Sequence, residues 1–261
     1  MSDVKEHCGL FGKVPQQADF VSHHLAEEYT EYWHTWLQSS MSVSREQLGD
    51  DWLNYFLTSP VWNFAIGPGI CSPSVITGVM IPSMDEVGRY FPLTLAHAGS
   101  HLVWDAYLNG REWYQSLEAA ALKALDETTG YTHLIEVLES LEIPEFTSSP
   151  VYQTRHSVSG IDKSFVLPVK TDETKQNIIS GLLDKSYRHM LGNYSLWWTQ
   201  GSQHIDPCLL VSANLPDAGQ FAAMLDGDWH QWNWAEEQLI HPDAELVQQP
   251  EPVIEDNLSL V

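Results

Sequence analysis

Basic residues are scarce in this chain of 261 residues. It has 12 lysines and arginines against 35 aspartates and glutamates, a formal net charge of −23 at pH 7. All lysines and arginines lie at or before Arg188, whereas residues 189–261 carry 11 acidic residues. Nucleic-acid affinity comes largely from Lys and Arg that neutralise phosphates, so this balance argues against DNA or RNA partners. A partner steered by electrostatics is expected to be basic, although an acidic surface also serves solubility alone.

Cysteines and long apolar runs are few as well. Cys8, Cys71 and Cys208 are odd in number and far apart, which fits neither a disulfide framework nor a zinc ribbon. No stretch reaches the roughly 18 apolar residues that a membrane helix needs, and the N-terminal segment has no signal-peptide core. We therefore expect a cytoplasmic protein with reduced thiols and no direct membrane insertion.

The chain does contain enough apolar material for a substantial core. Hydrophobic residues make up 43% of it, and 11 are tryptophans, so a globular protein is expected. The pattern predicts a globular domain over residues 1–235. Residues 144–160, rich in Ser, Thr and Pro, would either separate two lobes or form a long surface loop. Residues 236–261, with acids, three prolines and no periodicity, are predicted to be a mobile acidic tail.

Hydrophobic periodicity and turn residues predict both helices and strands. Predicted helices span residues 18–40, 45–57 (with a capping box from Ser44 and Gln47), 101–125 (with a break at Asn109-Gly110), 131–141, 172–188 and 217–225. Predicted strands span residues 7–11, 61–66, 75–81, 90–96, 165–169, 195–199 and 208–211. Three consecutive strands without intervening helices indicate antiparallel neighbours. The expected fold class is α/β in the α+β sense, a mixed, largely antiparallel sheet covered by helices.

Motifs that would carry catalysis or bind a cofactor are incomplete. Gly12-Lys13 invites comparison with a phosphate-binding loop, but the first glycine position is His7 and the Ser/Thr position is Val14. No serine lies in a G-x-S-x-G elbow. We expect no catalytic residue, no cofactor and no enzymatic activity.

Two histidine pairs also fall short of a metal-binding motif. His97 and His101 are four residues apart, but Ala98 stands where a zincin has glutamate. His23 and His24 are adjacent in sequence and are expected to point in different directions. No metal site is predicted from either pair.

A polar cluster occurs in the predicted turn at residues 82–90. Arg89 is expected to pair with a carboxylate, such as Asp85 or Glu86, and so to pin the turn between two strands. Alternatively, Arg89 and neighbouring aromatic residues face a partner, since Arg, Trp and Tyr are typical interface anchors. The sequence favours the structural role and leaves the second open.

Several motifs in this chain resemble those of the TagF family of accessory proteins in bacterial type VI secretion. The resemblance spans about residues 8–234 and departs from the family at Ala18, where glycine is usual. It rests on these segments: Gly9-Leu10-Phe11-Gly12-Lys13-Val14-Pro15 with Asp19-Phe20, Trp36-Leu37, Ser59-Pro60-Val61-Trp62 with Phe64, Gly78-Val79-Met80-Ile81-Pro82-Ser83 with Asp85, Gly88-Arg89-Tyr90-Phe91-Pro92-Leu93, Ser195-Leu196-Trp197-Trp198, Gly201-Ser202, Leu215-Pro216, Phe221 and Gly227 with Trp229.

The resemblance implies a post-translational repressor of type VI secretion. Such a protein restrains assembly or firing through the forkhead-associated scaffold protein, beside or instead of the threonine-phosphorylation pathway. It would be cytoplasmic and recruited to the inner-membrane secretion complex through its partners. The candidate motif or interaction residues are Gly12, Lys13, Asp19, Phe20, Trp62, Asp85, Gly88, Arg89, Tyr90, Trp197 and Trp198.

Two other functions stay open at this point. A hydrolase or phosphate-handling enzyme could use Lys13 and Asp19 with Asp85 and Arg89, if the fold brings their two turns together. A structural adaptor without a regulatory role is the third possibility.

Overall fold

The computed structural model of the protein describes residues 7–126, 128, 130–146 and 174–237. These residues form one sheet with helices on both faces. The strands are β1 Gly9–Gly12, β2 Val21–His23, β3 Trp62–Ile66, β4 Val75–Ile81, β5 Leu93–Gly99, β6 Tyr194–Thr199 and β7 Cys208–Ala213. The helices are α1 Glu27–Leu48, α2 Trp52–Leu57, α3 Val103–Asn109, α4 Arg111–Ala124, α5 Tyr131–Ser140, α6 Lys175–Leu191 and α7 Ala223–Asp226.

The sheet has seven strands in the order β2-β1-β5-β4-β3-β6-β7, and each neighbouring pair is antiparallel. The expected α+β class with an antiparallel sheet is therefore confirmed. Strands β3 and β6 pair with Phe64 opposite Trp197. Residues on both sides of the segment 144–160 thus contribute to one sheet.

Each face of the sheet carries its own apolar core. Helices α3 to α6 pack on one face, and α1, α2 and α7 pack on the other. In β6, Leu196 and Trp198 belong to the first core and Trp197 to the second, as alternation along a strand requires. Because both faces are covered, all seven residues of β4 are buried, and Thr77 is its one polar side chain.

The first predicted helix was wrong at both ends. Residues 21–23 are strand β2, because they pair with β1 in the register Phe11 to Ser22, and the helix begins only at Glu27. It then continues through Leu48, so Ser44 is not a cap. The buried Ser44 hydroxyl instead donates to the carbonyl of Met41 and accepts from the indole of Trp52.

Several other predictions can be compared directly. The break at Asn109-Gly110 is confirmed, since α3 ends at Asn109 and α4 begins at Arg111. The strand expected at 90–96 begins at Leu93, and the helix expected at 217–225 is divided into a 3₁₀ turn, Ala218–Gln220, and α7. The predicted strand 165–169, most of the segment 144–160 and nearly all of the predicted tail 236–261 lie outside the described residues.

Candidate interaction site

Two loops from distant parts of the sequence lie side by side at one end of the sheet. Residues 13–20 connect β1 to β2, and residues 82–91 lie between β4 and β5. The amide of Glu86 donates to the carbonyl of Gln17 at 3.1 Å, and the hydroxyl of Ser83 donates to the carbonyl of Lys13 at 2.8 Å. We refer to the two segments together as the paired loops. They contain most of the motif residues singled out from the sequence.

A buried ion pair joins the paired loops. Lys13 Nζ lies 2.7 Å from Asp85 Oδ2, and the two residues are only 6% and 2% exposed. Desolvating two charges is costly unless they are closely paired and hydrogen-bonded. The contact joins side chains 72 positions apart in the sequence, so it holds one loop on the other.

The Asp85 carboxylate has its hydrogen-bonding capacity almost filled. Oδ2 accepts from Arg89 Nε at 2.6 Å as well as from Lys13. Oδ1 accepts from the backbone amides of Val87 at 3.1 Å and Arg89 at 2.8 Å. The guanidinium of Arg89 also donates from Nη2 to the carbonyl of Ala18 on the other loop. Arg89 therefore does pin its turn through a carboxylate, but its side chain is 58% exposed, and the buried cation is Lys13.

These contacts determine the ionisation of Asp85. Burial alone raises the pKa of this carboxyl, but the hydrogen bonds from Lys13 and Arg89 and the charge of Lys13 outweigh it. The net pKa lies well below the ordinary value. A carboxylate that stays ionised and bonded to two cations is a poor general base or acid near neutral pH.

One glycine in the paired loops and one directly before them shape the backbone here. Gly88 has φ 83°, and its amide closes the turn on the carbonyl of Asp85 at 2.9 Å. Gly12 has φ 136°, and a Cβ there would collide with the carbonyl of Pro92. Both motif glycines are thus explained by local backbone geometry.

Phe20 is held firmly while its ring stays partly in solvent. It is 43% exposed, and its ring packs against Phe91 at 4.8 Å and His34 at 5.1 Å between centroids. Lys13 Nζ lies 5.1 Å from the centroid of the same ring. An aromatic side chain that is already ordered loses little conformational entropy on binding, which suits it as an interface anchor.

The rest of the exposed surface of the paired loops combines apolar and charged side chains. Val87 is 66% exposed and Met84 36% exposed, beside the exposed Asp19 and Arg89. Tyr90 is half-buried, with its ring near Phe56 and Trp52. Sequence reasoning missed Val87 and Met84, although an apolar residue between Glu86 and Gly88 in a turn was a usable signal.

Three tryptophans among the candidate residues are core residues and offer no contact surface. Trp62 and Trp197 are 1% and 0% exposed, and their indoles donate to the carbonyl of Met224 and the hydroxyl of Ser195. Trp198 is 9% exposed and packs against Tyr114 on the other face. Their place in the motifs reflects packing on β3 and β6, and their burial argues against direct contact with a partner.

The paired loops bring together the four residues that a phosphate-handling site would need, but in an unsuitable state. Lys13 and Asp85 are buried and bonded to each other, so neither presents a free charge to a substrate. Of the four, Asp19 and Arg89 have exposed side chains. The geometry fits a rigid, partly apolar contact surface better than an active-site pocket.

Fold and site together define a three-layer α+β protein whose motif residues stabilise an exposed loop surface. A family model for the TagF N-terminal domain, type VI secretion system-associated, matches residues 9–141. The chain belongs to the TagF family. The family match confirms the resemblance drawn from the motifs and makes this a type VI secretion system-associated protein.

A solved structure extends the likeness over nearly the whole chain. The crystal structure of PA0076 from Pseudomonas aeruginosa PAO1 is 31% identical, with a TM-score of 0.71, over 90% of this chain and 98% of that one. No curated protein matches the chain. In the described ranges, no helix combines the length and the apolar character needed to cross a membrane.

Proposed function

We propose that this protein is a non-catalytic regulator that represses assembly or firing of the type VI secretion system by binding one of its components. The proposed partner is the forkhead-associated scaffold protein of the system, and the proposed mechanism is sequestration. A bound partner cannot join the secretion complex until mass action or a competing surface releases it. The protein would act in the cytoplasm and reach the inner-membrane complex through this partner.

The observation that carries the proposal is the construction of the paired loops. Lys13 and Asp85 are bonded to each other and are not free to act on a substrate. Their ion pair holds the two loops together and so fixes the surface that displays Phe20, Val87 and Arg89. Aromatic residues, methionine and arginine are enriched at protein interfaces, and arginine is a frequent hot-spot residue, so an ordered Phe20 near an exposed Arg89 suits a contact surface. This supports binding through the paired loops.

Introducing a charge on this surface tests the binding site. Val87→Asp places a carboxylate on a 66% exposed position and leaves the cores untouched. We expect it to weaken binding to the purified scaffold protein at least about tenfold, since an unpaired charge is costly inside an interface. The measurement is a calorimetric titration, supported by a thermal melt to show that the fold is intact.

Met190→Asp is the matched control, because Met190 is 71% exposed at the end of α6. It should bind like the wild-type protein. Equal loss in both variants would point to a general effect of negative charge, and no loss in Val87→Asp would remove the paired loops from the binding site.

A structural adaptor would use the same surface, so secretion itself must separate the two roles. Deleting the gene should raise secretion if the protein is a repressor. Chromosomal Val87→Asp should reproduce that increase. A fall in secretion in both strains would favour the adaptor.

A further inference from the structure

Three side chains of metal-ligand type meet at the outer edge of the sheet. His23 ends β2, His24 follows it, and Glu139 lies near the end of α5. Nε2 of His23 is 3.5 Å from Oε1 of Glu139, and Nε2 of His24 is 3.3 Å from the same oxygen. One ligand atom from each residue lies within 4.8 Å of the other two.

The two imidazoles lie together because the strand ends between them. Neighbouring side chains of a strand point to opposite faces, which is why the sequence predicts divergent rings. That expectation was wrong, since His24 has φ 52° and its ring centroid lies 3.9 Å from that of His23. Gly9 admits this turn, because a Cβ on Gly9 would collide with the carbonyl of His23 and lie 2.9 Å from the carbonyl carbon of His24.

The spacing of the donor atoms matches a tetrahedral ion. Zinc binds imidazole nitrogen and carboxylate oxygen at about 2.0–2.2 Å, so two ligands at the tetrahedral angle are about 3.4 Å apart. The observed nitrogen-to-oxygen distances of 3.5 and 3.3 Å are close to that value. Two imidazoles and one carboxylate form a ligand set suited to zinc and its neighbours.

The histidines also have unused bonding capacity. Nε2 of His23 is buried, and its 3.5 Å contact with Oε1 of Glu139 is longer than the 3.3 Å contact of His24 with the same oxygen. The ring of His7 stacks on His24 with centroids 5.3 Å apart, and its buried Nδ1 makes no hydrogen bond among the described residues. Buried polar atoms are normally well bonded, so the loosely bonded Nε2 of His23 is open to a metal ion.

We propose that His23, His24 and Glu139 bind one divalent transition-metal ion of the zinc type, with water as the fourth ligand. The ion would tie the edge hairpin β1–β2 to α5, and so brace the strand that directly follows Phe20. The sequence predicts no metal site from His23 and His24 alone. The remote Glu139 completes it.

The untagged full-length chain is first freed of metal by chelator treatment and dialysis. Zinc binding is then measured by calorimetry and by elemental analysis. We expect one zinc ion per chain and a higher thermal midpoint with zinc. His24→Ala and Glu139→Gln should each weaken zinc binding about tenfold or more, because even changes outside the first ligand shell cost about 10–100-fold. Glu139→Gln preserves shape at an exposed position, so it remains informative if His24→Ala folds poorly.

His133→Ala is the matched control. His133 lies 3.5 Å from Glu136 on the same helix, an exposed histidine–glutamate pair without a second imidazole. It should bind zinc like the wild-type protein. The proposal would be overturned if the wild-type chain bound no zinc, or if both ligand variants bound zinc as tightly as the wild-type chain.

Discussion

Asp85 and Asp184 are two buried carboxylates with the same local partner and different surroundings. Each accepts a hydrogen bond from Nε of an arginine four residues later, Arg89 at 2.6 Å and Arg188 at 2.7 Å. Asp184 lies in α6, where residues four apart share a face. Asp85 lies in a turn, where Gly88 bends the backbone to bring Arg89 back.

The two carboxylates differ in their second hydrogen-bonding partner, and this partner gives them different structural roles. Asp184 accepts from the hydroxyl of Tyr194 at 2.8 Å, which links α6 to β6 within the core. Asp85 instead receives the buried cation of Lys13 and so links two loops at the surface. A local Asp-x-x-x-Arg spacing therefore says little about function, and the distant residue decides what the carboxylate stabilises.

Removing the distant cation should have the largest effect. Lys13→Met leaves the buried Asp85 with a largely exposed arginine, so we expect the free energy of unfolding to fall by about 3 kcal/mol, the lower end for a broken buried pair. Urea unfolding measures it. Lys175→Met, at an exposed position, should change stability by less than about 0.5 kcal/mol. A loss below about 1 kcal/mol for Lys13→Met would mean that Arg89 alone suffices, as one arginine does at Asp184.

Removing each arginine should reveal the asymmetry directly. Arg188→Ala takes away the cation bonded to Asp184, and we expect a loss of about 2 kcal/mol. Arg89→Ala leaves Lys13 in place, so its cost should be about 1 kcal/mol or less. This stability cost for Arg89→Ala is lower than the cost predicted from the sequence alone, because the sequence predicts that Arg89 is the main partner of a buried acid.

Binding should show the opposite order in the same two proteins. Arg89→Ala should weaken scaffold binding by about 2 kcal/mol, the size typical of a hot-spot arginine, and Arg188→Ala should leave it unchanged. Urea unfolding and a titration are run on both variants. Equal stability costs, or equal binding, would erase the distinction between the two sites.

Acid should produce the smallest effect. The pKa of Asp85 is lowered in the folded protein, so its stabilisation is present above the unfolded pKa of about 3.9 and is lost as pH falls towards the folded value. Between pH 7 and pH 3.5, proton uptake by the unfolded chain should remove about 0.7 kcal/mol from this site.

The acid effect is isolated by a second protein, Lys13→Met/Asp85→Leu, which has no ion pair to titrate. Urea unfolding at both pH values should show the wild-type protein losing more stability than this variant. A larger loss in the variant would contradict the assigned direction of the pKa shift.

Local patterns predicted most elements of this fold, and their failures have a common cause. The break at Asn109-Gly110 and strand β4 were visible because turn residues and apolar runs act locally. Strand β2 was missed because three residues become a strand only by pairing with β1. Ser44 was wrongly predicted to be a helix cap, because its place inside α1 depends on a hydrogen bond from the Trp52 indole that the local sequence does not reveal.

The sequence by itself determined the family, the α+β class and the two loops that carry the motifs, since these depend on residue order and periodicity. Only the tertiary structure decided which motif residues are exposed. Trp62 and Trp197 lie in the core, whereas Phe20 and Val87 reach solvent. It also placed Lys13 on Asp85 and Glu139 beside His24. Those pairs are 72 and 115 positions apart, and a contact across such distances depends on the packing of the whole sheet, which no local pattern encodes.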